Sequence, residues 1–231
     1  MKYSNIVQGI FIKRVNRFIA RVLVEGKEET VHVKNTGRCR ELFIAGSKVI
    51  LERSSNPDRK TGFSVIGIYK GHRFINIDSQ VPNHVVFEAL QDNRIPELIA
   101  ADLVKKEVTY GNSRFDLYFE SAGCRGFIEV KGVTLEEEGL VMFPDAPTLR
   151  GTKHVLEMVK AVEDGYKGYI FFLIQMKDVK SFRPNQKTDP EFAAALRLAA
   201  QKGVRLLAYD SLVRENEISI GDRVEIVLED A

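Results

Sequence analysis

Two carboxylates and an amine stand close together near the middle of this 231-residue chain: Asp116 in Ser113-Arg114-Phe115-Asp116, then Glu129 and Lys131 in Glu129-Val130-Lys131. Residues 115–119 and 127–131 read as strands, and residues 121–126 supply the turn between them, so the segment is a hairpin. Pairing symmetric about that turn sets Asp116 opposite Lys131 and Tyr118 opposite Glu129. The two-residue period of a strand puts Glu129 and Lys131 on one face and Ile128 and Val130 on the other. Two carboxylates held about 4 Å apart repel by roughly 4 kcal/mol at an effective dielectric of ~20, so the pair calls for a cation. Mg²⁺ or Mn²⁺ is the expected cofactor. Such ions take oxygen ligands, here Asp116 and Glu129, and keep positions for phosphate and water, while Lys131 orients or deprotonates the attacking water. The chemistry is phosphodiester hydrolysis. The competing reading is a solvated hairpin face with a cross-strand Asp116 and Lys131 pair worth roughly 0.2–1 kcal/mol. Spacing alone does not choose between them.

The elements that must hold these groups follow residue 80. Residues 84–91 and 96–106 have helical spacing, with Pro96 in a first turn, so a helical arm is expected to lead into the hairpin. Beyond it, residues 148–163 read as an amphipathic helix, 169–174 as a buried strand, 190–202 as an alanine-rich helix and 204–209 as another strand. That order predicts a mixed sheet flanked by helices. Asp145-Ala146-Pro147-Thr148 reads as a loop entering a helix, where Thr148 caps and the free amides favour phosphate. Arg150 and His154, four apart, share a helix face from which they would contact a substrate phosphate. Alternatively, Asp145 and Arg150 lock the helix entrance and His154 is exposed. His32 and His84 lack ligand-type neighbours and read as structural or solvated.

The net charge of +2 conceals a division. Residues 1–80 hold 15 Lys plus Arg against 7 Asp plus Glu, and residues 81–231 hold 19 against 25, giving +8 and −6. A basic first third points to an anionic partner. Its patterning is five short strands, at 9–14, 17–24, 29–34, 48–52 and 63–69, which fits a small OB-like barrel. Such a barrel offers loops and a strand face to single-stranded nucleic acid. The expected phosphate contacts are Arg14, Arg17, Lys34, Arg38, Arg40, Arg59 and Lys60. Phe11, Phe18 and Phe43 are either base-stacking platforms or core. The expected division is therefore a nucleic-acid-binding domain over 1–80 and a catalytic domain over 81–231, with DNA as partner and RNA as the alternative.

Composition excludes other classes. The 44% hydrophobic and 29% charged fractions are those of an ordinary soluble protein, and no apolar run approaches a membrane span. Residues 1–9 lack the features of a secretory signal, which makes the cytoplasm the default location. Cys39 and Cys124 stand alone, without zinc-ligand spacing. No Walker-type or GxGxxG loop supports a reading as an enzyme acting on a small phosphorylated metabolite.

Asp on one hairpin strand and Glu-x-Lys on the next, in this order of elements, resembles the PD-(D/E)xK nuclease superfamily. More narrowly, the chain resembles the sugar fermentation stimulation protein (SfsA) family. That likeness rests on Arg14-Val15-Asn16-Arg17-Phe18, Asn35-Thr36-Gly37-Arg38, Tyr110-Gly111-Asn112-Ser113-Arg114-Phe115-Asp116, Ile128-Glu129-Val130-Lys131-Gly132-Val133-Thr134-Leu135 and the run from Phe143-Pro144-Asp145 to Thr152-Lys153-His154. The resemblance implies an OB-like domain joined to a nuclease-like domain, DNA binding and a link to regulation of sugar metabolism. It implies a metal on Asp116 and Glu129, the Val130 carbonyl as a further ligand and Lys131 at the water. It also implies an acid from the preceding helix, for which Glu97 and Glu107 are the candidates. Phe115 stands where the superfamily name has proline. The family's association with gene regulation supports an alternative function, a non-specific DNA-binding regulator of sugar metabolism that does not cleave.

Overall fold

In the computed structural model, which describes residues 1–35, 37–56, 58–98 and 101–228, one-sided apolar patterning closes the first part of the chain into a barrel. Strands β1 (Ile6–Arg14), β2 (Ile19–Val24), β3 (Lys27–Val33), β4 (Lys48–Arg53) and β5 (Phe63–Lys70) bond in the order β3-β2-β1-β4-β5. Parallel pairing of His32 with Ser64 and Val33 with Val65 joins β3 to β5 and shuts the ring. Val22, Val31, Val49, Leu51 and Val65 fill the interior, because alternate side chains of each strand point inward. This is the expected OB-like barrel. Phe11 belongs to its core, with Phe43 packed on it at 5.1 Å between ring centroids, whereas Phe18 is 46% exposed.

The chain leaves the barrel through β6 (Arg73–Asn76), which pairs with β5, and enters α1 (Val81–Gln91). The junction is a buried polar network. Asn76 donates to the Tyr3 hydroxyl at 2.8 Å and accepts from Gln175 Nε2 at 2.8 Å, and Lys34 pairs with the buried Asp78 at 3.2 Å. Each such group would cost roughly 1–3 kcal/mol if left unsatisfied, so the network sets how the barrel meets the rest of the molecule.

The second part comprises β7 (Leu103–Tyr110), β8 (Ser113–Ser121), β9 (Cys124–Val133), β10 (Leu135–Glu137), β11 (Leu140–Phe143), α2 (Leu149–Glu163), β12 (Lys167–Ile174), β13 (Ser181–Pro184), α3 (Pro190–Gln201), β14 (Arg205–Arg214), β15 (Glu217–Arg223) and β16 (Glu225–Ile226). Its main sheet runs β15-β14-β12-β9-β8-β7, parallel in the centre and antiparallel at both ends. The centre is buried on both sides, which is why β12 reads as an unbroken apolar run. Val85 and Val86 of α1 share one core with Ile128 and Val130, and Val155 and Met158 of α2 share the other with Phe127. A smaller sheet, β10-β11-β13-β16, lies beside it. No helix among the described residues is long and apolar enough to cross a membrane.

Two expectations are corrected. Residues 96–106 are not a helix: a single 3-10 turn at Pro96–Leu98 is followed by β7, with residues 99–100 outside the described ones. The β-branched Val104, Val108 and Thr109 and the two-residue turn that pairs Tyr110 with Ser113 favour a strand hairpin over helical spacing. The β8–β9 turn is also tighter than expected. Ser121 pairs with Cys124 across Ala122-Gly123, whose φ values of 45° and 78° suit a two-residue hairpin turn. Asp116 is therefore not opposite Lys131, since the ladder ends at Leu117 with Ile128, and Asp116 and Glu129 come next on their strands. The alternation of β8 breaks at this point, with Phe115 in the core that holds Val155 of α2 and Leu117 in the core that holds Val85 of α1, so that Asp116 bonds to Asn83 of α1 while Glu129 bonds to His154 of α2. The chain's first residues join the second sheet: Tyr3 N–H donates to Asn216 and Ile218 N–H to Met1, alongside β15.

Candidate metal and nucleic-acid site

Where the β8–β9 ladder stops, Asp116 bonds to the neighbouring strand with its side chain. Its Oδ2 accepts from the Val130 N–H at 2.8 Å, and its Oδ1 accepts from Asn83 Nδ2 of α1 at 2.7 Å. Glu129, only 2% exposed, lies on the neighbouring β9. Its Oε1 accepts from Lys131 Nζ at 2.5 Å and from His154 Nδ1 of α2 at 2.5 Å. Its Oε2 is buried without a partner. The backbone just beyond Lys131 must stay bare: a Cβ on Gly132 would stand 2.5 Å from Gln175 Oε1 and 2.8 Å from Pro82.

Burial, and then the charge of Glu129, push the Asp116 carboxyl above the ordinary aspartate range. Burial pushes Glu129 upward as well, but the hydrogen bond from His154 and the charge and hydrogen bond of Lys131 outweigh it and hold this carboxyl below its usual range. The result is a buried anionic oxygen with an open lone pair beside a second, destabilised carboxylate. An unsatisfied buried charged acceptor is costly, and a hard divalent cation relieves both defects. Among the described residues no three or more His, Cys, Asp and Glu gather as a ligand cluster. The carboxylates that could hold a divalent ion here are Asp116 and Glu129, and an ion that keeps several waters, as Mg²⁺ does, needs few protein ligands.

The other expected residues divide. Thr148 caps α2, its Oγ1 accepting from Gly151 N–H at 3.0 Å. Arg150 stands exposed in the first turn of that helix. His154 is neither exposed nor open to a phosphate through Nδ1, since it is buried against Glu129. Asp145 makes no lock with Arg150; its Oδ2 accepts the backbone N–H groups of Arg38 at 2.8 Å and Cys39 at 3.2 Å. Glu97 is turned to other partners, accepting from the Tyr209 hydroxyl at 2.6 Å and pairing with Arg223 at 3.0 Å. Glu107 is exposed and 3.6 Å from Arg114. Neither acid joins the Asp116 and Glu129 site. Asn83 is the contact that sequence reading missed; a polar residue directly after Pro82 in the first turn of a helix was its one signal.

The basic residues also separate. Arg14 is spent on the barrel, donating to the carbonyls of Arg38 at 2.6 Å, Arg17 at 2.7 Å and Asn35 at 3.0 Å. Lys34 is spent on Glu52 at 2.9 Å and on Asp78. Arg38 and Arg40 are exposed, and with Arg14 and Arg17 they border a concavity of about 600 Å³ whose far wall is Ala146-Pro147. Arg59 and Lys60 are exposed in the β4–β5 loop and do not line it. A second concavity of about 310 Å³ lies at the junction of barrel and main sheet; it shares Gly37, Ala146 and Pro147 with the first and reaches Gly132 and Thr148.

Comparison with known proteins covers nearly the whole chain. Residues 12–77 match the SfsA N-terminal OB domain, and residues 80–217 match the sugar fermentation stimulation protein RE domain. A sugar fermentation stimulation protein homolog of Alkaliphilus oremlandii is 57% identical over 231 residues, 98% of each chain. A Clostridium beijerinckii homolog is 51% identical over 229 residues, 99% of this chain and all of the other. Among solved structures, Pyrococcus furiosus SfsA in complex with Ca²⁺ superimposes with a TM-score of 0.90 at 28% identity, covering 98% of both chains.

Proposed function

The chain belongs to the sugar fermentation stimulation protein (SfsA) family, and on that premise we propose that it binds nucleic acid through its barrel and hydrolyses phosphodiester bonds at Asp116, Glu129 and Lys131 with Mg²⁺ or Mn²⁺. The observation that carries this reading is the buried, unpartnered Glu129 Oε2 next to a second carboxylate. That the Pyrococcus relative is described with Ca²⁺, another oxygen-seeking divalent ion, supports it.

Asp116 and Glu129 would hold the ion, with the Val130 carbonyl beside them. A bound divalent ion supplies charge stabilisation at the phosphate and acidifies water. The remaining work belongs to side chains of this chain. Asn83 and the Val130 N–H keep Asp116 in one rotamer. His154 occupies Glu129 Oε1, so that Oε2 is the oxygen left for the ion. Lys131, whose ammonium is anchored on Glu129, holds and orients the attacking water. Arg150, exposed at the helix entrance, meets the substrate phosphate.

One observation favours the second reading, a DNA-binding regulator without cleavage: both donors at Glu129 converge on a single oxygen, which already neutralises much of the site. Incubation of the purified protein with labelled single- and double-stranded DNA and RNA, in Mg²⁺, Mn²⁺ or EDTA, separates the two. Metal-dependent cleavage supports the enzyme, whereas salt-sensitive binding with no cleavage of any substrate leaves the regulator.

A further inference from the structure

The barrel's basic 37–40 loop does not simply hang over solvent beside the carboxylate site. Its backbone is bonded to the loop that starts α2, through one side-chain oxygen: Asp145 Oδ2 accepts from both Arg38 N–H and Cys39 N–H. The fit is close, since a Cβ on Gly37 would stand 2.8 Å from that same oxygen. Behind it the buried Cys39 Sγ lies 3.8 Å from Thr134 Oγ1 of the segment that follows β9. Three residues after Asp145, Thr148 caps the helix whose His154 touches Glu129.

The two concavities meet at this contact. The one bordered by Arg17, Arg38 and Arg40 shares its Gly37 and Ala146-Pro147 wall with the one that reaches Gly132, the neighbour of Lys131. At the outer end Phe18 is exposed, with the Arg17 guanidinium 5.7 Å from its ring centre. An exposed aromatic beside a cationic groove is the arrangement that receives a single strand, with bases stacked and backbone tracked by Arg.

We propose that Asp145 is a positioning residue that latches the 37–40 loop to the entrance of α2, so that a single nucleic-acid strand gripped by Arg17, Arg38 and Arg40 runs along the shared groove to Gly132 and Thr148. This rests on the nucleic-acid reading given above.

Simple electrostatics and the latch predict opposite signs, which makes the inference testable. Asp145 is an anion beside a phosphate-binding loop, so charge alone says that removing it by either Asp145→Ala or Asp145→Asn tightens nucleic-acid binding. The latch says otherwise. Both N–H groups land on one oxygen, and the amide oxygen of an asparagine accepts both, so Asp145→Asn binds at least as well as wild type. Asp145→Ala frees the loop and loosens binding roughly tenfold, the cost of ordering two or three long side chains at the moment of association. Gly37→Ala, which pushes the loop off Asp145 while removing no charge, loosens it similarly.

The measurement is fluorescence anisotropy of a labelled single-stranded DNA oligonucleotide against the full chain, with thermal melting of each variant to establish folding and a duplex of the same sequence as comparator. Weaker binding by Asp145→Ala and Gly37→Ala, with Asp145→Asn unimpaired, supports the latch. Tighter or unchanged binding by folded Asp145→Ala overturns it while leaving nucleic-acid binding intact. Equal loosening on duplex and single strand overturns the single-strand path. Absence of binding by the wild type overturns both the latch and the reading beneath it. If Asp145→Ala does not fold, Gly37→Ala decides, and wild-type affinity in that variant refutes the proposal.

Discussion

Replacing Asp116 by asparagine gives the sharpest test of the metal site, because its effect on stability depends on the ion. Without metal, two contributions oppose each other. The change removes a carboxylate that burial and the nearby Glu129 already disfavour, and it weakens the charge-assisted bonds from Asn83 Nδ2 and Val130 N–H. Each hydrogen bond has a net worth of roughly 0.5–1.5 kcal/mol, so the variant melts close to wild type in EDTA. With metal the two diverge. A site filled at a hundred times its Kd stabilises the fold by about 2.7 kcal/mol. In a chain of this size that corresponds to roughly 5–10 °C in Tm. Wild type gains that shift on addition of Mn²⁺ or Mg²⁺, and Asp116→Asn does not. The assay is thermal melting across a metal titration, with calorimetry to count ions. A full metal-induced shift in Asp116→Asn, and again in Glu129→Gln, would refute the assignment, since the ion would then be held elsewhere.

Lys131→Ala leaves DNA affinity within about threefold, because binding is spread over many cations, while abolishing metal-dependent cleavage in single-turnover assays; loss of both makes Lys131 a binding residue. Replacing Arg17, Arg38 and Arg40 together by alanine lowers the slope of log K against log salt by roughly 2–3, at about 0.7–0.9 for each phosphate that is no longer neutralised. Lys34→Ala, by contrast, acts on stability by about 3 kcal/mol in denaturant titration, since it strands the buried Asp78 carboxylate. Glu136 gives a pH signature. Burial pushes its carboxyl up, but the bonds from Lys70 and Gly139 and the charge of Arg73 prevail and hold it below the usual 4.5. A depressed folded-state pKa contributes stability that is present above the unfolded value and lost as pH falls through the folded one. Melting profiles of wild type therefore drop below about pH 4.5 more steeply than those of Glu136→Gln, whereas parallel profiles would exclude Glu136 as the cause.

The hairpin that carries Asp116, Glu129 and Lys131 was legible in the sequence because turn residues and short apolar strands are local signals. The expected hairpin register was wrong by two residues, and the strand period did not foretell that Asp116 would bond to α1 and Glu129 to α2. The barrel was equally legible: each of its strands needs one apolar face, and short alternating runs display that directly. Thr148 announced its cap for the same reason, a local bond to a residue three positions on. Tertiary structure alone decided which polar groups are available. Arg14 and Lys34 read like Arg38 and Arg40, but the first two are consumed by carbonyls and carboxylates brought in from elsewhere in the fold. Glu97 read like a metal ligand and belongs to Tyr209, 112 positions away. His154 reaches Glu129 across 25 residues and Asp145 reaches Arg38 across 107. Such contacts have no period in the sequence, since they follow from how α2 and the barrel pack on the sheet, and that packing is also what leaves Glu129 Oε2 buried without a partner.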